Sequence, residues 1–309
     1  MKQALADLNG VLGLNRRNAE FILPRNLRKY YPRVDDKIKT KDLLEAQGIP
    51  TPPIYFKFQY FHELGHLEEI RRLSQFVVKP ARGSAGRGIL VITGWESGKW
   101  ITASGRRVTK EDLEYHIANI LGGLYSLDGK KDCAFLEYFV HCQLQLKQMA
   151  FQGVPDIRII LFLGVPVMAM LRLPTRLSGG RANLHQGAVG VGIHFKTGET
   201  SGGVLRNRYI DTHPDLGKSL QGIKIPIWNQ LLEIAVKAYP IFGLGYFGID
   251  FVVDQLLGPL ILEVNARPGL SIQLANRSGL LPKLRKIEAA ESRLGSFSDS
   301  DRLEFALDL

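Results

Sequence analysis

The sequence predicts an α+β fold built on at least two packed sheets, and three observations support this prediction. Short apolar runs typical of strands alternate with segments typical of helices along most of the chain. Residues 157–163 and 167–173 flank the turn Gly164-Val-Pro, as in an antiparallel hairpin. The composition, with 45% hydrophobic and 23% charged residues among 309, is ordinary for a globular protein. Hairpins mixed with crossover connections argue against a uniform doubly wound sheet.

Local signals predict the individual helices and strands. Thr40 is the expected N-cap of a helix over 41–47, which Gly48 and the prolines after it end. Thr109 is the expected N-cap of a second helix, over 110–121. Further predicted helices cover residues 62–73, 227–239 and 280–290, and further predicted strands cover residues 54–58, 76–79, 88–93, 133–140, 245–254 and 260–264.

The two ends of the chain differ in charge. Residues 1–33 are basic and are expected to form a short helical region, with Leu5, Leu8 and Leu12 at helical spacing. Residues 288–309 carry six acidic and two basic side chains and are expected to form an acidic, mobile tail. The whole chain has a formal net charge of +10, which favours anionic partners such as nucleotides, phosphates or nucleic acids without choosing among them.

Composition also excludes several classes of protein. The two cysteines, Cys133 and Cys142, cannot supply a disulfide scaffold or a zinc site built on cysteine pairs. The most apolar run, residues 159–171, is too short to span a membrane, which needs about 20 residues. Since the first residues also lack the apolar stretch of a signal peptide, we expect a cytoplasmic protein.

Three oxygen-bearing side chains lie on two neighbouring apolar strands near the C-terminus. Asp250 is on the first strand, and Glu263 and Asn265 are on the second, two residues apart and therefore on the same face. Magnesium bound to phosphates needs a few hard oxygen ligands of this kind. The alternative is that these are solvated turn residues, but their apolar neighbours argue against it.

A second pattern combines a lysine with a glycine-rich turn. Lys79 ends the strand 76–79, and Gly83, Ser84, Gly86 and Gly88 follow before the next strand. Glycines allow backbone N–H groups to approach phosphate oxygens, and the lysine supplies a positive charge. An ordinary hairpin turn rich in glycine remains the alternative interpretation of this pattern.

Six motifs in order resemble the ATP-grasp carboxylate–amine ligases over about residues 34–285. They are Asp36-Lys37, Lys79 with its glycine-rich loop, Glu137-Tyr138-Phe139, Asp156-Ile-Arg158, Arg181-Ala-Asn183-Leu-His185, and the set Asp250, Glu263 and Asn265. The sequence is most similar to the alpha-L-glutamate ligase-related group and to the ATP-grasp domains associated with sugar transfer.

The resemblance implies an ATP-grasp fold in which two α+β subdomains hold ATP between their sheets. It implies a domain over 34–287, with a lid subdomain at about 54–136 and a metal- and substrate-binding subdomain at 137–287. In this family the two lysines contact the ATP phosphates, the glycine-rich loop covers them, and the backbone of residues 137–139 pairs with adenine. Asp250, Glu263 and Asn265 would bind magnesium, with two ions expected and Mn²⁺ expected to substitute.

The resemblance also implies catalytic roles and a reaction. Arg158 is the expected contact of the transferring phosphoryl group, and Arg181, Asn183 and Arg267 are expected at the substrates. The reaction would be ATP-dependent amide formation through an acylphosphate, between an amino acid such as glutamate and an amine- or carboxylate-bearing acceptor. The N-terminal region is reduced relative to many ATP-grasp ligases, so the acceptor stays open, as does a homo-oligomer.

Three alternatives to the ligase remain at this point. A nucleotide-binding module without catalysis would keep the same binding residues, and a phosphotransferase on the same scaffold would release a stable phosphorylated product. A nucleic-acid-binding protein is supported by charge alone, since the basic N-terminus lacks interleaved aromatic residues.

His62-Glu63-Leu-Gly-His66 also fits a zinc-peptidase pattern, but Gly65 weakens a helix there, so we expect surface or packing residues.

Overall fold

A computed structural model of the chain describes residues 10–70, 72–83, 86–126 and 129–309. The chain divides into two compact units, which we call the smaller and the larger unit. The smaller unit consists of Asp36–Lys41 and Thr51–His141. The larger unit consists of Asp42–Pro50 and Cys142–Leu309, together with the N-terminal residues to Asp35. The predicted subdomain boundary at 136–137 therefore falls inside the smaller unit, and the described part of the N-terminal region, residues 10–33, belongs to the larger one.

The smaller unit contains an antiparallel sheet whose strand order is β1-β6-β2-β3-β4-β5. Strand β6 lies between β1 and β2, so its residues are enclosed on both sides by neighbouring strands. The strands are β1 (Ile54–Phe58), β2 (Phe76–Pro80), β3 (Leu90–Glu96), β4 (Lys99–Thr102), β5 (Arg107–Val108) and β6 (Ala134–Glu137).

Helices in or beginning in this unit are α3 (Lys37–Glu45), a 3-10 helix (Phe61–His66), α4 (Leu67–Ile70) and α5 (Lys110–Leu121). Helix α5 packs Leu113, Ile117 and Ile120 into the hydrophobic core beneath the sheet. Its predicted N-cap is confirmed, because the Thr109 hydroxyl accepts a hydrogen bond from the Asp112 N–H at 3.1 Å. The core and the cap together fix α5 against the sheet.

The larger unit contains an eight-stranded antiparallel sheet with the order β11-β10-β9-β8-β7-β13-β14, and β12 also pairs with β10. The predicted hairpin around Gly164 is confirmed as β7 and β8, and the final pair of strands as β13 and β14. The strands are β7 (Asp156–Phe162), β8 (Val165–Leu173), β9 (Val189–His194), β10 (Glu199–Leu205), β11 (Arg208–Ile210), β12 (Gln221–Lys224), β13 (Tyr246–Asp254) and β14 (Gly258–Asn265).

Apolar residues cover both faces of this sheet. Helix α7 (Trp228–Phe242) buries Leu231, Ala235 and Phe242 on one face. The other face packs against Phe21 and against the C-terminal helices. The remaining helices are α1 (Leu14–Arg16), a π-helix (Arg17–Ile22), 3-10 helices (Arg28–Tyr30 and Leu184–Gln186), α2 (Pro32–Asp35), α6 (Leu144–Lys147), α8 (Ile272–Ala275), α9 (Leu281–Ala289), α10 (Glu291–Leu294) and α11 (Asp299–Leu307). Over the described part of the chain, no helix combines the length and the apolar character that crossing a membrane requires.

The acidic tail differs from its prediction as a mobile extension. It forms α10 and α11, which bury Leu294 and Ala306 in the core of the larger unit. The reason lies in Ser298, whose hydroxyl accepts from the Asp301 N–H while the Asp301 carboxylate accepts from the Ser298 N–H. This reciprocal cap starts a helix in a segment whose serines and aspartates otherwise suggest a flexible chain.

Two predicted helices also begin or form differently. Helix α3 starts at Lys37, so Thr40 lies inside it and donates its hydroxyl hydrogen to the Asp36 carbonyl at 2.9 Å, rather than capping the helix. The segment predicted as one helix over 62–73 is a 3-10 helix followed by the short α4. Leu5 and Leu8 of the predicted N-terminal helix lie outside the described residues.

Candidate functional site

A lysine cluster lies in the interior of the smaller unit. The Glu137 side chain, at the end of β6, is 1% exposed and forms ion pairs with Lys79 of β2 and with Lys41 of α3. The Lys41 Nζ is 3.1 Å from Glu137 Oε2 and donates to the Pro52 carbonyl at 2.6 Å. The pairing of β2 with β6 explains the contact between Lys79 and Glu137. Lys79 is opposite Phe135, which precedes Glu137 by two residues on β6.

Two ammonium groups determine the charge state of the one carboxyl group in this cluster. Burial raises the pKa of the Glu137 carboxyl, but the Lys79 and Lys41 ammonium groups outweigh burial and lower that pKa below its ordinary value. Glu137 is therefore ionised at neutral pH, and its carboxylate lies between two ammonium groups.

Lys37 and the glycine-rich loop lie beside each other in the same unit. The Lys37 Nζ donates to the Gly83 carbonyl at 2.6 Å. A Cβ on Gly83 would lie 2.3 Å from Pro80 Cγ, and one on Gly88, whose φ is +74°, would lie 2.6 Å from Tyr125 Cγ. These two glycines are thus required by close packing, independently of any phosphate. Gly86 also has a positive φ, and Ser84 lies outside the described residues.

In the segment predicted to pair with adenine, residues 137–139, several groups already have partners within the protein. Its first residue, Glu137, uses its side chain on the two lysines. The N–H of Tyr138 donates to the Pro53 carbonyl at 2.8 Å, so that donor is already engaged. Phe139 contacts the His141 ring, with centroids 5.3 Å apart. Any backbone pairing with a nucleotide base would have to use groups other than the Tyr138 N–H.

An arginine–aspartate cluster lies in the larger unit, where β7, β8 and β13 adjoin. The Arg158 guanidinium binds the Asp250 carboxylate with two hydrogen bonds of 2.6 Å. The Arg172 guanidinium reaches both Asp156 and Asp250, with its Nη2 2.7 Å from an oxygen of each. Asp250 is 1% exposed, and its Oδ2 also accepts from Asn265 Nδ2 at 3.1 Å. Three side chains, those of Arg158, Arg172 and Asn265, therefore donate to one buried carboxylate.

The pKa values of the two aspartates in this cluster are shifted in opposite directions. Burial raises the pKa of Asp250, but Arg158 and Arg172 outweigh burial and lower it. Burial raises the pKa of Asp156 to about 6, and neighbouring Asp250 adds to this while Arg172 opposes it. Burial lowers the pKa of Arg172, yet Asp156, Asp250 and Glu263 together raise it above its ordinary value. Glu263 therefore lies within electrostatic reach of Arg172.

The predicted magnesium ligands share one surface of the strand pair β13–β14. Asp250 is directly opposite Glu263, and Gly248 is opposite Asn265, so the register brings the three side chains together. No group of three His, Cys, Asp or Glu side chains is arranged to hold a metal among residues 10–70, 72–83, 86–126 and 129–309. The set here has two carboxylates and one amide, which suits a hard cation that takes its other ligands from phosphates. Among the described contacts, the Asp250 Oδ1 accepts one hydrogen bond, from Arg158 Nε, so this oxygen keeps a lone pair for a cation. The three side chains therefore fit a hard cation.

The predicted substrate residues are found in two different settings. Arg181 is exposed in the loop before the 3-10 helix Leu184–Gln186. Asn183 caps that helix, accepting from the His185 N–H at 3.0 Å, so its carbonyl oxygen has a local structural role. Arg267 is exposed in the loop after β14 and stacks on the Tyr31 ring at 5.0 Å. The structure brings Arg158 to the metal ligands but leaves Arg181 and Arg267 at the surface.

The zinc-peptidase pattern does not form a metal site. His62 and His66 are both exposed, and they belong to a 3-10 helix, in which residues four apart do not share a face. Glu63 accepts hydrogen bonds from the N–H groups of Gln59 and Tyr60, as a helix cap does. This agrees with the interpretation of these residues as surface and packing groups.

Sequence analysis missed Lys41 and Arg172, although signals for both exist. Lys41 follows Lys37 by one helical turn once α3 is known to begin at Lys37, and the incorrect cap at Thr40 hid this. Arg172 is opposite Asp156 in the hairpin β7–β8, and the two residues are equally distant in sequence from Gly164 of the turn. The hairpin was predicted, so its register could have supplied this pair.

The chain matches a known protein family over most of its length. Residues 16–289 match the family described as sugar-transfer associated ATP-grasp. The chain is 26% identical over 270 residues to a probable alpha-L-glutamate ligase of Serratia proteamaculans (strain 568), covering 87% of this chain and 68% of that protein. The family match spans most of the chain, and we conclude that the protein belongs to the sugar-transfer associated ATP-grasp family and has the ATP-grasp fold.

Solved structures of ATP-grasp ligases are also similar to this chain. The ligase PsnB in complex with a minimal precursor is 15% identical, with a TM-score of 0.45, over 87% of this chain and 64% of PsnB. The D-alanine–D-alanine ligase of Bacillus anthracis is 15% identical, with a TM-score of 0.44, over 90% of this chain and 68% of that enzyme. The chain thus spans less than two thirds of the PsnB structure.

Proposed function

We propose that this protein is an ATP-dependent ligase that joins a carboxylate to an amine through an acylphosphate intermediate. The observation that carries the proposal is the register of β13 and β14, which brings Asp250, Glu263 and Asn265 together as three oxygen-bearing side chains. In the smaller unit, the ammonium groups of Lys79 and Lys41 lie beside one buried carboxylate. A protein that binds phosphates together with a divalent cation needs both cationic groups and oxygen ligands.

In this proposal the smaller unit binds the phosphates. Lys79 and Lys37 supply positive charge, and Lys41 remains as the partner of Glu137 when Lys79 turns toward a phosphate. The glycine-rich loop adds backbone donors close to the phosphate oxygens. Burial strengthens these contacts because the surrounding dielectric is low.

The larger unit is proposed to bind magnesium through Asp250, Glu263 and Asn265. When bound, the ion neutralises phosphate charge and supplies Lewis-acid polarisation at the γ-phosphate. Arg158 lies on Asp250 and is the proposed cation for the phosphoryl group during transfer. Catalysis then depends on positioning and charge neutralisation, as is general for phosphoryl transfer.

The proposed reaction has two steps. A carboxylate oxygen of one substrate attacks the γ-phosphorus, the bond from that phosphorus to the β-bridging oxygen breaks, and ADP leaves. The amine nitrogen of the second substrate then attacks the acyl carbon, loses a proton, and displaces inorganic phosphate. Arg181 and Arg267, both exposed, are proposed to hold a substrate carboxylate through paired hydrogen bonds.

Glutamate is the proposed amino acid, because the Serratia relative is described as a probable alpha-L-glutamate ligase. The acceptor is proposed to carry an amino group, on a peptide, a protein or a sugar. The test is release of ADP, screened over amino acids and acceptors in the presence of Mg²⁺, followed by the mass of the product. Nucleotide binding without release of ADP under every combination would instead support a silent binding module.

A matched pair of variants tests the metal assignment. Glu263→Gln is nearly isosteric but removes one charged metal ligand, so turnover at limiting Mg²⁺ should fall at least 100-fold, as losing about 3 kcal/mol of transition-state stabilisation implies. Glu233→Gln makes the same chemical change at an exposed position of α7 and should leave turnover unchanged. Turnover retained in Glu263→Gln would contradict the metal assignment, and loss of its far-ultraviolet circular dichroism spectrum would indicate a structural role instead.

A further inference from the structure

The basic N-terminal segment contains an arginine, Arg17, that is buried rather than exposed to solvent. Arg17 is only 4% exposed and begins a π-helix, Arg17–Ile22. Its Nη1 donates to the Pro268 carbonyl at 2.7 Å, and its Nε and Nη2 donate to Asn18 Oδ1 at 3.1 and 2.8 Å. Pro268 follows Asn265 by three residues, so this contact reaches the loop that leaves the proposed metal strand.

A second residue of the same segment holds the same loop. Asn26 Nδ2 donates to the Ala266 carbonyl at 3.4 Å and to the Tyr246 carbonyl at 2.6 Å, while its Oδ1 accepts from the Tyr246 N–H at 2.9 Å. Asn26 is 3% exposed. The loop after Asn265 is therefore tied at two carbonyls, both by side chains that precede residue 30.

The hydrogen bond from Arg17 to the Pro268 carbonyl is unusual because its donor is a buried cation. Burial lowers the pKa of the Arg17 guanidinium, and nearby Arg267 lowers it further while Tyr246 opposes the change. Among the residues that the structure describes, no carboxylate pairs with Arg17. A buried cation without an acid is costly, so the carbonyl of Pro268 and the side-chain oxygen of Asn18 compensate it within the folded chain.

We propose that Arg17 is a positioning residue that fixes the loop of residues 265–268, and with it the orientations of Asn265 and Arg267. The inference rests on the proposed function, in which Asn265 binds magnesium and Arg267 contacts a substrate. The N-terminal segment then has a defined task at the proposed site. Partners of this kind, one step removed from the ligands, commonly change metal affinity 10–100-fold when they are lost.

The experiment compares Arg17→Met and Arg17→Lys with Arg16→Met. Arg16 is the adjacent residue, is exposed and pairs with Glu20, so it makes a matched control for charge. Hydrogen–deuterium exchange of peptides that contain residues 264–270 is measured first. Arg17→Met should increase exchange in these peptides, Arg17→Lys should restore much of the protection because its ammonium can still reach the Pro268 carbonyl, and Arg16→Met should match the wild type.

Binding of Mn²⁺ in the presence of ATP, measured by electron paramagnetic resonance, gives the second readout. Arg17→Met should weaken Mn²⁺ binding about tenfold or more, with Arg17→Lys intermediate and ATP binding without metal unchanged. Unchanged exchange in residues 264–270, or increased exchange throughout the larger unit, would overturn the positioning role. If the wild type itself binds no Mn²⁺ with ATP, the proposed function fails, while the exchange measurement still decides whether Arg17 holds the loop.

Discussion

In the smaller unit two ammonium groups share one buried carboxylate, whereas in the larger unit two guanidinium groups lie among three carboxylates. Glu137 is held between Lys41 and Lys79, each through a single Nζ atom. Asp250 accepts hydrogen bonds from the N–H edges of two guanidinium groups, one of which binds with two parallel hydrogen bonds. The lysine cluster thus uses the compact charge of ammonium groups. The arginine–aspartate cluster uses planar guanidinium groups, whose N–H donors have a fixed geometry.

This difference indicates which groups are able to move. A lysine on a flexible stem can leave Glu137 for a phosphate, and the remaining lysine still neutralises the glutamate. The bidentate arginine pair is geometrically specific and holds Asp250 in one orientation beside Glu263 and Asn265. We infer that the lysine cluster provides mobile positive charge and that the arginine–aspartate cluster provides a rigid frame.

The largest expected effect comes from removing the central acid of the rigid frame. Asp250→Asn keeps the shape of the side chain but removes the carboxylate that pairs with both Arg158 and Arg172, while Arg172 keeps its pair with Asp156. Breaking a buried ion pair in this way should lower the free energy of unfolding by about 3–5 kcal/mol. Urea denaturation, which does not screen charge, measures the change.

The control for this experiment is Glu233→Gln, an exposed substitution that should stay within about 0.5 kcal/mol of the wild type. The double variant Asp250→Asn with Arg158→Met also removes one of the uncompensated charges, so it should recover part of the loss. Equal stabilities of Asp250→Asn and Glu233→Gln would show that the buried network contributes little to the folded state.

An intermediate effect is expected in the lysine cluster. Lys79→Met leaves Glu137 paired with Lys41, so the buried carboxylate keeps a cationic partner and the free energy of unfolding should fall by only about 1–3 kcal/mol. Affinity for ATP should fall more clearly, since Lys79 is the proposed phosphate contact. Isothermal titration with ATP and urea denaturation provide the two measurements.

Lys41→Met sharpens the comparison between the two lysines. It also removes the 2.6 Å hydrogen bond to the Pro52 carbonyl, so stability should fall at least as far as in Lys79→Met, with a smaller loss of ATP affinity. Lys99→Met, at an exposed position of β4, controls for loss of a positive charge. A larger loss of ATP affinity in Lys41→Met than in Lys79→Met would reverse the roles assigned here.

Sequence patterns predict this molecule best where the partners are close in the chain or joined by a recognisable turn. The hairpins β7–β8 and β13–β14 follow from apolar runs on either side of the turns at Gly164 and Gly258, and the second hairpin places Asp250 opposite Glu263. The helix α5 follows from its cap at Thr109. These features depend on local geometry, which composition and spacing largely determine.

Partner choice between distant elements is harder to predict. Lys41 reaches Glu137, 96 positions later in the sequence, only because β6 inserts between β1 and β2. Asn183 has a residue type suited to substrate binding, yet its oxygen caps a 3-10 helix three residues long. The acidic tail folds because one serine and one aspartate form a cap, a short signal within a flexible-looking composition. Each case depends on a tertiary contact or a single cap that periodicity does not encode.

The smallest expected effect is a dependence of stability on pH that separates the two clusters. The pKa of Asp156 is raised to about 6, whereas an unfolded aspartate titrates at about 3.9. Between these two values the folded state binds this proton more tightly, so the contribution of Asp156 to the free energy of unfolding decreases as the pH rises through the window. Glu137 behaves oppositely, because its lowered pKa gives a contribution that is present above about pH 4.3 and is lost only on acidification below that value.

Measurements from pH 4.5 to 7 therefore isolate Asp156. Urea unfolding of the wild type and of Asp156→Asn at each pH gives a difference in free energy, which should shift against the wild type as the pH rises and level off above about pH 6. Carboxyl ¹³C chemical shifts of labelled aspartate should show one group titrating in the same range. A difference that stays constant across the window would mean that Asp156 is already ionised at low pH and that Arg172, rather than burial, controls its charge. The arginine–aspartate cluster would then hold its charge through acid as firmly as the lysine cluster does.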